Sequence, residues 1–401
     1  MKKGYLSSYF EGIAVKRLSA VEIDPLVSHQ HEFNGITALK TILGTTRKDY
    51  SAKFVYLGDD EEENRSESGS VTWYDAREFH PLRSEYRLYY PSTLINEIAT
   101  EGDLLIIGRR PGDIIFIIII KSGSPYENNI RWLFNISYEE LTNNFSIKEI
   151  DEHSDTELNF ASRFILSELG IEITETDENY LESMIQKFDD KFPKTYEFSE
   201  FARNSLGGIN EDFDPDQTLI DWMDREELLF RTFENHLINE KIKTGFSKVD
   251  SFIEFSLSIQ NRRKSRAGYA LENHFEQILH RKSISYSRGK ETENRAKPDF
   301  IFPGIDHYRN FSFPVSRLTM LGVKSTCKDR WRQILSEASR VQNKHLLTLE
   351  PGISDNQTLE MKAQNVQLVI PQKLFNSYNH TQQHWLINIK SFLDLVQKRE
   401  L

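Results

Sequence analysis

The chain has 401 residues, 38 % of them hydrophobic and 28 % charged, with a formal net charge of −11 at pH 7. That length accommodates two or three domains with a sizeable core each, and the composition excludes fibrous and disordered classes. One cysteine, Cys327, excludes a disulfide framework and a cysteine-based zinc site and points to a reducing cytoplasm.

The charge is unevenly spread. Residues 1–150 carry a net −5, residues 151–240 a net −17 and residues 241–344 a net +11, while residues 345–401 balance. A basic stretch can hold phosphates locally beside an acidic one, because salt screens charges beyond roughly 8 Å. It can equally be a solvated surface, so charge alone selects no partner.

In chain order, the first 150 residues read mainly as β. Lys53–Leu57, Ser70–Tyr74 and Leu104–Gly108 are short apolar runs separated by polar turns, and Asp59–Asn64 is an exposed loop. The longest apolar run, Ile114–Ile120, is far too short to span a bilayer and reads as a fully buried strand. Met1–Tyr5 lacks the apolar stretch of a signal peptide, so neither export nor a membrane is expected. Many short strands in so few residues predict a barrel or sandwich. Gly170–Thr174 is the candidate hinge, dividing the chain into residues 1–170, a hinge over 171–180 and a second domain over 181–401.

The second half changes character. Helical patterns occupy Asp221–Leu237 and Ala270–His280, the latter with Leu271, Phe275, Ile278 and Leu279 on one face. Strand candidates follow at Ser283–Tyr286, Asp299–Phe302 and Leu318–Lys324. A helix is predicted from about Lys328 to Val341, with Ser325 and Thr326 as cap candidates. Then come Leu346–Leu349 (strand), Leu359–Gln364 (helix), Val366–Ile370 (strand) and a last helix over His384–Lys398. This order predicts a mixed α/β sandwich around a central sheet.

Three charged residues fall at informative places in that core. Asp299 opens a strand after Pro298, Lys324 ends the third strand, and Glu337 lies thirteen residues further on, about three turns along the predicted helix. Two carboxylates and a lysine at a sheet edge are what Mg²⁺-dependent phosphodiester hydrolysis needs. The carboxylates hold the hard cation, the metal acidifies a bound water, and the lysine orients that water or stabilises developing charge. A second signal is Lys328-Asp329-Arg330-Trp331-Arg332-Gln333: Arg grips guanine O6 and N7, Asp accepts from cytosine N4, and together they can read a C·G pair. Trp331 reads as a packing residue. Trp222 stands near the start of its helix beside Asp221 and Asp224, either half-buried or a platform for a base. The densest basic run, Asn261–Gly268, suits phosphate contacts or a solvated loop equally well.

Asn261–Gly268, Lys297-Pro298-Asp299-Phe300 and Val323–Leu335 resemble the C-terminal half of EcoRII-type restriction endonucleases, over roughly residues 180–401. The resemblance implies an α/β restriction-endonuclease-like core of the PD-(D/E)xK superfamily, in the branch whose second acidic residue has moved from the strand to the following helix. Gly322 stands where the commoner pattern has Asp or Glu, and Glu337 takes the helix position. It further implies a type II restriction endonuclease acting as a homodimer, with Mg²⁺ held by Asp299 and Glu337, on sites of CC and GG flanking a central base or pair. Members extrude the central bases, and Trp222 matches the position where relatives stack them. Tyr308 falls at a position of suspected catalytic use, and Lys328, Asp329, Arg330, Gln333 and Arg262 remain the candidate DNA contacts on the chemistry given above.

The N-terminal half is similar to the same family's effector domain through Ala14–Ala20, Ser28–Gly35 and Arg83–Arg87. This implies a mainly β DNA-binding pseudobarrel, with Arg83, Glu85, Arg87 and His29 on arms that enter the major groove and a second copy of the DNA site as effector. Recognition there depends on side chains that vary, so no particular sequence is implied for the arms. The charge asymmetry adds an expectation about control. Opposite charges tethered on one chain meet at high effective concentration, so the acidic segment or the N-terminal domain is a candidate cover for the nuclease cleft until effector DNA displaces it. The rival class is a DNA-binding regulator that does not cut, and the intact Asp299, Lys324 and Glu337 favour the enzyme over it.

Overall fold

The apolar runs of the first 150 residues form one seven-stranded sheet. The strands are β1 (Gly12–Arg17), β2 (Lys48–Leu57), β3 (Arg65–Asp75), β4 (Tyr86–Tyr89), β5 (Leu104–Arg110), β6 (Ile114–Ile120) and β7 (Ser146–Glu149), in spatial order β4-β3-β2-β6-β5-β1-β7. Every pairing is antiparallel except β2 with β6. The computed structural model describes all residues except 1–4, 24–31, 34–35, 61, 92, 94–97, 151–156, 173–174, 208–212 and 401, and omits the side chains of Ile23, Ile36, Thr37, Lys328 and Asp329.

Alternation explains why this sheet curls. Ala14, Tyr50, Ala52, Phe54, Tyr56, Val71, Trp73, Leu88, Leu105, Ile107, Ile115, Ile117 and Ile119 come from six strands and share one core cluster, as the period of two along a strand demands. The opposite face is also covered. Phe116 of β6 meets Phe10 edge-on at 6.1 Å, and Phe10 meets Phe134, just past helix α1 (Pro125–Leu133), at 5.1 Å. Burial on both faces accounts for the unbroken Ile-rich run of β6. The expected mainly β N-terminal half is thus found as a curled sheet.

Two units divide the chain, one of residues 2–158 with 165–171 and one of residues 159–164 with 172–401. Helix α2 (Phe160–Glu168) falls at the division. In the second unit, α3 (Leu181–Phe188), α4 (Thr195–Asn204) and α5 (Pro215–Thr244) gather Met184, Phe198, Ala202, Leu229, Phe230 and Phe233 into one apolar cluster. Helix α6 (Val249–Arg281) runs back beside α5 and leads into a five-stranded sheet. Its strands are β8 (Ser287–Arg288), β9 (Phe300–Phe302), β10 (Thr319–Val323), β11 (Lys344–Leu347) and β12 (Val366–Val369), in order β12-β11-β10-β9-β8. Strands β10, β11 and β12 are parallel, and β9 and β8 are added antiparallel. Helices α7 (Ile305–Arg309), α8 (Asp355–Ala363) and α9 (Ile389–Glu400) complete the unit. The predicted stripe on α6 is buried, with Phe275 meeting Phe300 of β9 at 5.5 Å and Phe392 of α9 at 6.3 Å. This is the expected α/β core.

The structure differs from the predicted elements most in three places. Residues 328–341 are not an α-helix: Lys328–Ser336 is a run of 3₁₀ turns, and Glu337 follows it in extended conformation (φ −90°, ψ 145°). Three residues per turn stack Trp331 directly over Ile334, and both are fully buried. No side-chain cap precedes the run, whose N-cap is Cys327 rather than Ser325 or Thr326. No strand forms at Ser283–Tyr286: Ser283 adopts a left-handed turn (φ 54°) after α6, and the two-residue β8 begins only at Ser287. Asn261–Gly268 lies inside α6 and is no loop. Its arginines face acidic residues of α5: Arg263 donates to Glu234 at 2.8 Å, and Arg266 binds Glu226 at 3.2 Å and also Glu227. Burial would raise the Glu227 carboxyl, but Arg266 and Arg231 outweigh it and hold it at about 2. Part of the acidic segment and part of the basic one therefore neutralise each other within a single helix pair.

Candidate active site

Antiparallel pairing of β9 with β10 sets Phe300 opposite Leu321, which carries the preceding residue, Asp299, to the end of β10. There its Oδ2 accepts from the Val323 backbone N–H at 2.6 Å and from Lys324 Nζ at 2.9 Å. Lys324 follows β10 directly and its own N–H donates to the Leu347 carbonyl of β11 at 3.0 Å, so both members of the pair are tied to sheet backbone. Both side chains are mostly buried.

Glu337 reaches the same place from the far end of the 3₁₀ run. Burial, then the negative charge of Asp299, push its carboxyl up to about 7, against the opposing pull of Lys324 and Lys344. Its Oε2 is buried and has no hydrogen-bond partner. The structure therefore brings Asp299, Lys324 and Glu337 within electrostatic reach of one another. Two carboxylates that repel, one with an unused buried oxygen, fit a hard divalent cation, whose charge would relieve both costs. Among the described residues no set of three or more His, Cys, Asp or Glu side chains is arranged to hold a metal. Two carboxylates agree with Mg²⁺, which keeps several waters and takes the rest of its shell from a phosphate.

A third carboxylate beside this site was not singled out in the sequence. Glu272 of α6 has its pKa raised by burial and by Asp299, and it is paired with Arg288 at 2.9 Å. Its place next to the buried stripe residue Leu271 was the available signal, but a glutamate at a helix edge is usually only solvated.

The other candidates are scattered. Tyr308 sits on α7, and its buried hydroxyl donates to the Glu293 carboxylate, with distances of 2.8 and 2.6 Å to the two oxygens. It lines a cavity of about 560 Å³ with Glu293, Arg309, Phe311 and Arg340. Trp222 is only 5 % exposed, its ring 5.7 Å from that of the fully buried His274 and 4.8 Å from the Arg281 guanidinium. Arg262 lies over the Phe192 ring at 3.7 Å. Arg330 and Gln333 point outward from the 3₁₀ run and are exposed. The side chains of Lys328 and Asp329 lie outside the described residues, as does all of His29.

In the N-terminal unit Arg87 is bound by Glu32 and Glu85, each at 2.7 Å, and Glu85 also holds Arg77 at 2.5 Å. Arg83 is exposed on the connection between β3 and β4.

Residues 230–393 match the family model described as EcoRII C terminal. The chain is 36 % identical over 225 residues to the type II restriction enzyme EcoRII of Escherichia coli, covering 56 % of this chain and 55 % of that enzyme. The chain thus matches about half the length of that relative. Similar solved structures include metal-depleted Ecl18kI in complex with uncleaved, modified DNA (TM-score 0.44, 17 % identity, 56 % of this chain and 85 % of that one). Another is a PspGI–substrate DNA complex (TM-score 0.43, 16 % identity, 53 % and 95 %). The similarity to EcoRII falls where the motifs led us to expect it, in the C-terminal half.

Proposed function

We propose that this chain, with its EcoRII C-terminal match over residues 230–393, is a type II restriction endonuclease that hydrolyses double-stranded DNA at a specific site. One observation carries the reading: the Asp299–Lys324 ion pair of 2.9 Å faces a Glu337 carboxylate that has an unpartnered buried oxygen. A protein that only bound DNA would gain nothing from holding two repelling carboxylates and a lysine there.

Asp299 and Glu337 are the residues that would hold Mg²⁺, which when bound neutralises phosphate charge and acidifies a water. Asp299 Oδ2, fixed by the Val323 N–H, holds Lys324 at the end of β10. The Lys324 ammonium orients the attacking water and stabilises charge on the phosphate. Arg330 and Gln333, exposed on the same 3₁₀ run as the turn into Glu337, bring base reading next to the chemistry.

The finer reading rests on the motif resemblance: sites of CC and GG around a central base pair, action as a homodimer, Trp222 stacking an extruded base, and a second site copy bound at the N-terminal sheet through Arg83 and its neighbours. The test is cleavage of a defined plasmid with and without Mg²⁺, followed by sequencing of the ends. Random ends, or cutting that persists in a chelator, would sink this function.

A further inference from the structure

We propose that Lys344 is a positioning residue for Glu337. The inference rests on the reading of Glu337 as a metal-holding carboxylate, and it concerns what places that carboxylate.

The 3₁₀ run ends at Ser336, and the chain then turns sharply through Glu337 and Ala338, the latter left-handed at φ 46°. The carbonyls of Glu337, Ala338 and Val341 converge on Lys344 Nζ, the last two at 3.2 and 3.0 Å, and that of Ala338 also accepts the Val341 backbone N–H at 2.9 Å. An ammonium has three donors, so all three are committed to this turn. Lys344 itself has little freedom. It opens β11, pairs with Val366 of β12, and donates its N–H to the Asn365 carbonyl at 3.0 Å. Strand β11 is also the neighbour of β10, which Lys324 follows.

Lys344 is 6 % exposed and forms no ion pair within 4 Å among the described residues. A buried charge in this position is costly, and an apolar side chain would pack there more cheaply unless the three carbonyls had to be held. The charged groups facing the amine are Glu337 and, further off, Glu293, while Asp299 and Lys324 face the Glu337 carboxylate. Lys344 thus transmits the register of the sheet to the one metal-site carboxylate that the sheet does not carry.

The experiment uses the full chain and three variants: Lys344→Met, Glu337→Ala and the double substitution. Mn²⁺ binding is followed by electron paramagnetic resonance, and the Mg²⁺ concentration for half-maximal cleavage is measured alongside. Lys344→Met is expected to weaken Mn²⁺ binding and raise the Mg²⁺ requirement by about tenfold or more, the usual effect of removing a group that holds a ligand. Metal-free DNA binding should be unchanged. In the Glu337→Ala background the same substitution should add nothing, because the carboxylate it places is gone. An equal fold-loss in both backgrounds, or metal binding within twofold of wild type in Lys344→Met, would overturn the role of Lys344. Unchanged Mn²⁺ binding in Glu337→Ala would instead reject Glu337 as a ligand. Should Lys344→Met not fold, Lys344→Arg keeps the charge but alters its donor geometry, and is expected to show the same pattern at smaller amplitude; a wild-type metal requirement in that folded variant would reject the proposal.

Discussion

A β-carbon built on Gly322 would lie 2.6 Å from Cγ2 of Ile334. Gly322 is two residues before Lys324 and therefore on the same face of β10, where the commoner nuclease pattern puts its second carboxylate. Here the 3₁₀ run lies over that position, and Ile334 fills the space an acidic side chain would need. Three residues after Ile334 the chain delivers Glu337 instead. Gly322→Asp alone should therefore displace Ile334 and lower stability by about 1–3 kcal/mol, measurable by denaturant unfolding. Combining Gly322→Asp with Ile334→Ala and Glu337→Ala should restore part of the cleavage lost in Glu337→Ala. No return of activity in a folded triple variant would mean that space is not what excludes the carboxylate from β10.

Asp299→Ala, Lys324→Ala and Glu337→Ala are each expected to abolish Mg²⁺-dependent cleavage while leaving specific DNA binding largely intact, because in the proposed function these groups address metal and phosphate rather than base edges. Gel-shift titration in Ca²⁺ beside a cleavage assay separates the two. Near-normal cleavage by Glu337→Ala would move the second acidic ligand elsewhere, with Glu272 the next carboxylate to examine.

Glu337 also links stability to pH. Its carboxyl, pushed up to about 7 by burial and by Asp299, binds its proton more tightly folded than unfolded. That contribution to stability is complete below the ordinary glutamate range and is lost as pH rises through 7. Without metal, Glu337→Gln should therefore stabilise the protein by about 1–2 kcal/mol at pH 8 and by little at pH 4. A Tm difference that does not grow between those pH values would contradict the assignment.

Arg330 is exposed on the 3₁₀ run. Its replacement by Ala should cost roughly 1–3 kcal/mol in discrimination at one base pair, read from competition among variant sites. A uniform loss on all sequences would make it a phosphate contact.

Trp222 packs against His274 and Arg281, so Trp222→Ala should cost about 3–5 kcal/mol of stability through the cavity it leaves. Trp222→Phe keeps most of that packing and is the better probe of base extrusion. With 2-aminopurine at the central position, wild type and Trp222→Phe should differ in emission on binding. Identical emission and affinity would leave Trp222 as a packing residue only.

Several elements follow from local pattern alone. Ile114–Ile120 is a buried strand because an unbroken apolar run of seven residues must be covered on both faces. The stripe Leu271–Leu279 is a helix face over a sheet because its spacing is helical. Asp299 and Lys324 lie beside strand ends that local pattern and Pro298 mark out. Other features depend on partners distant in sequence. The 3₁₀ course of residues 328–336 follows from burying Trp331 and Ile334 at a spacing of three, and from Lys344 gathering the carbonyls beyond it. The basic run Asn261–Gly268 is a paired helix face because α5 supplies Glu226, Glu227 and Glu234 from some thirty to forty residues away. Strand and helix periods are set by the backbone and show in local pattern. Ion pairs, and the filled space beside Gly322, are set by which surfaces meet, and only the folded chain brings those together.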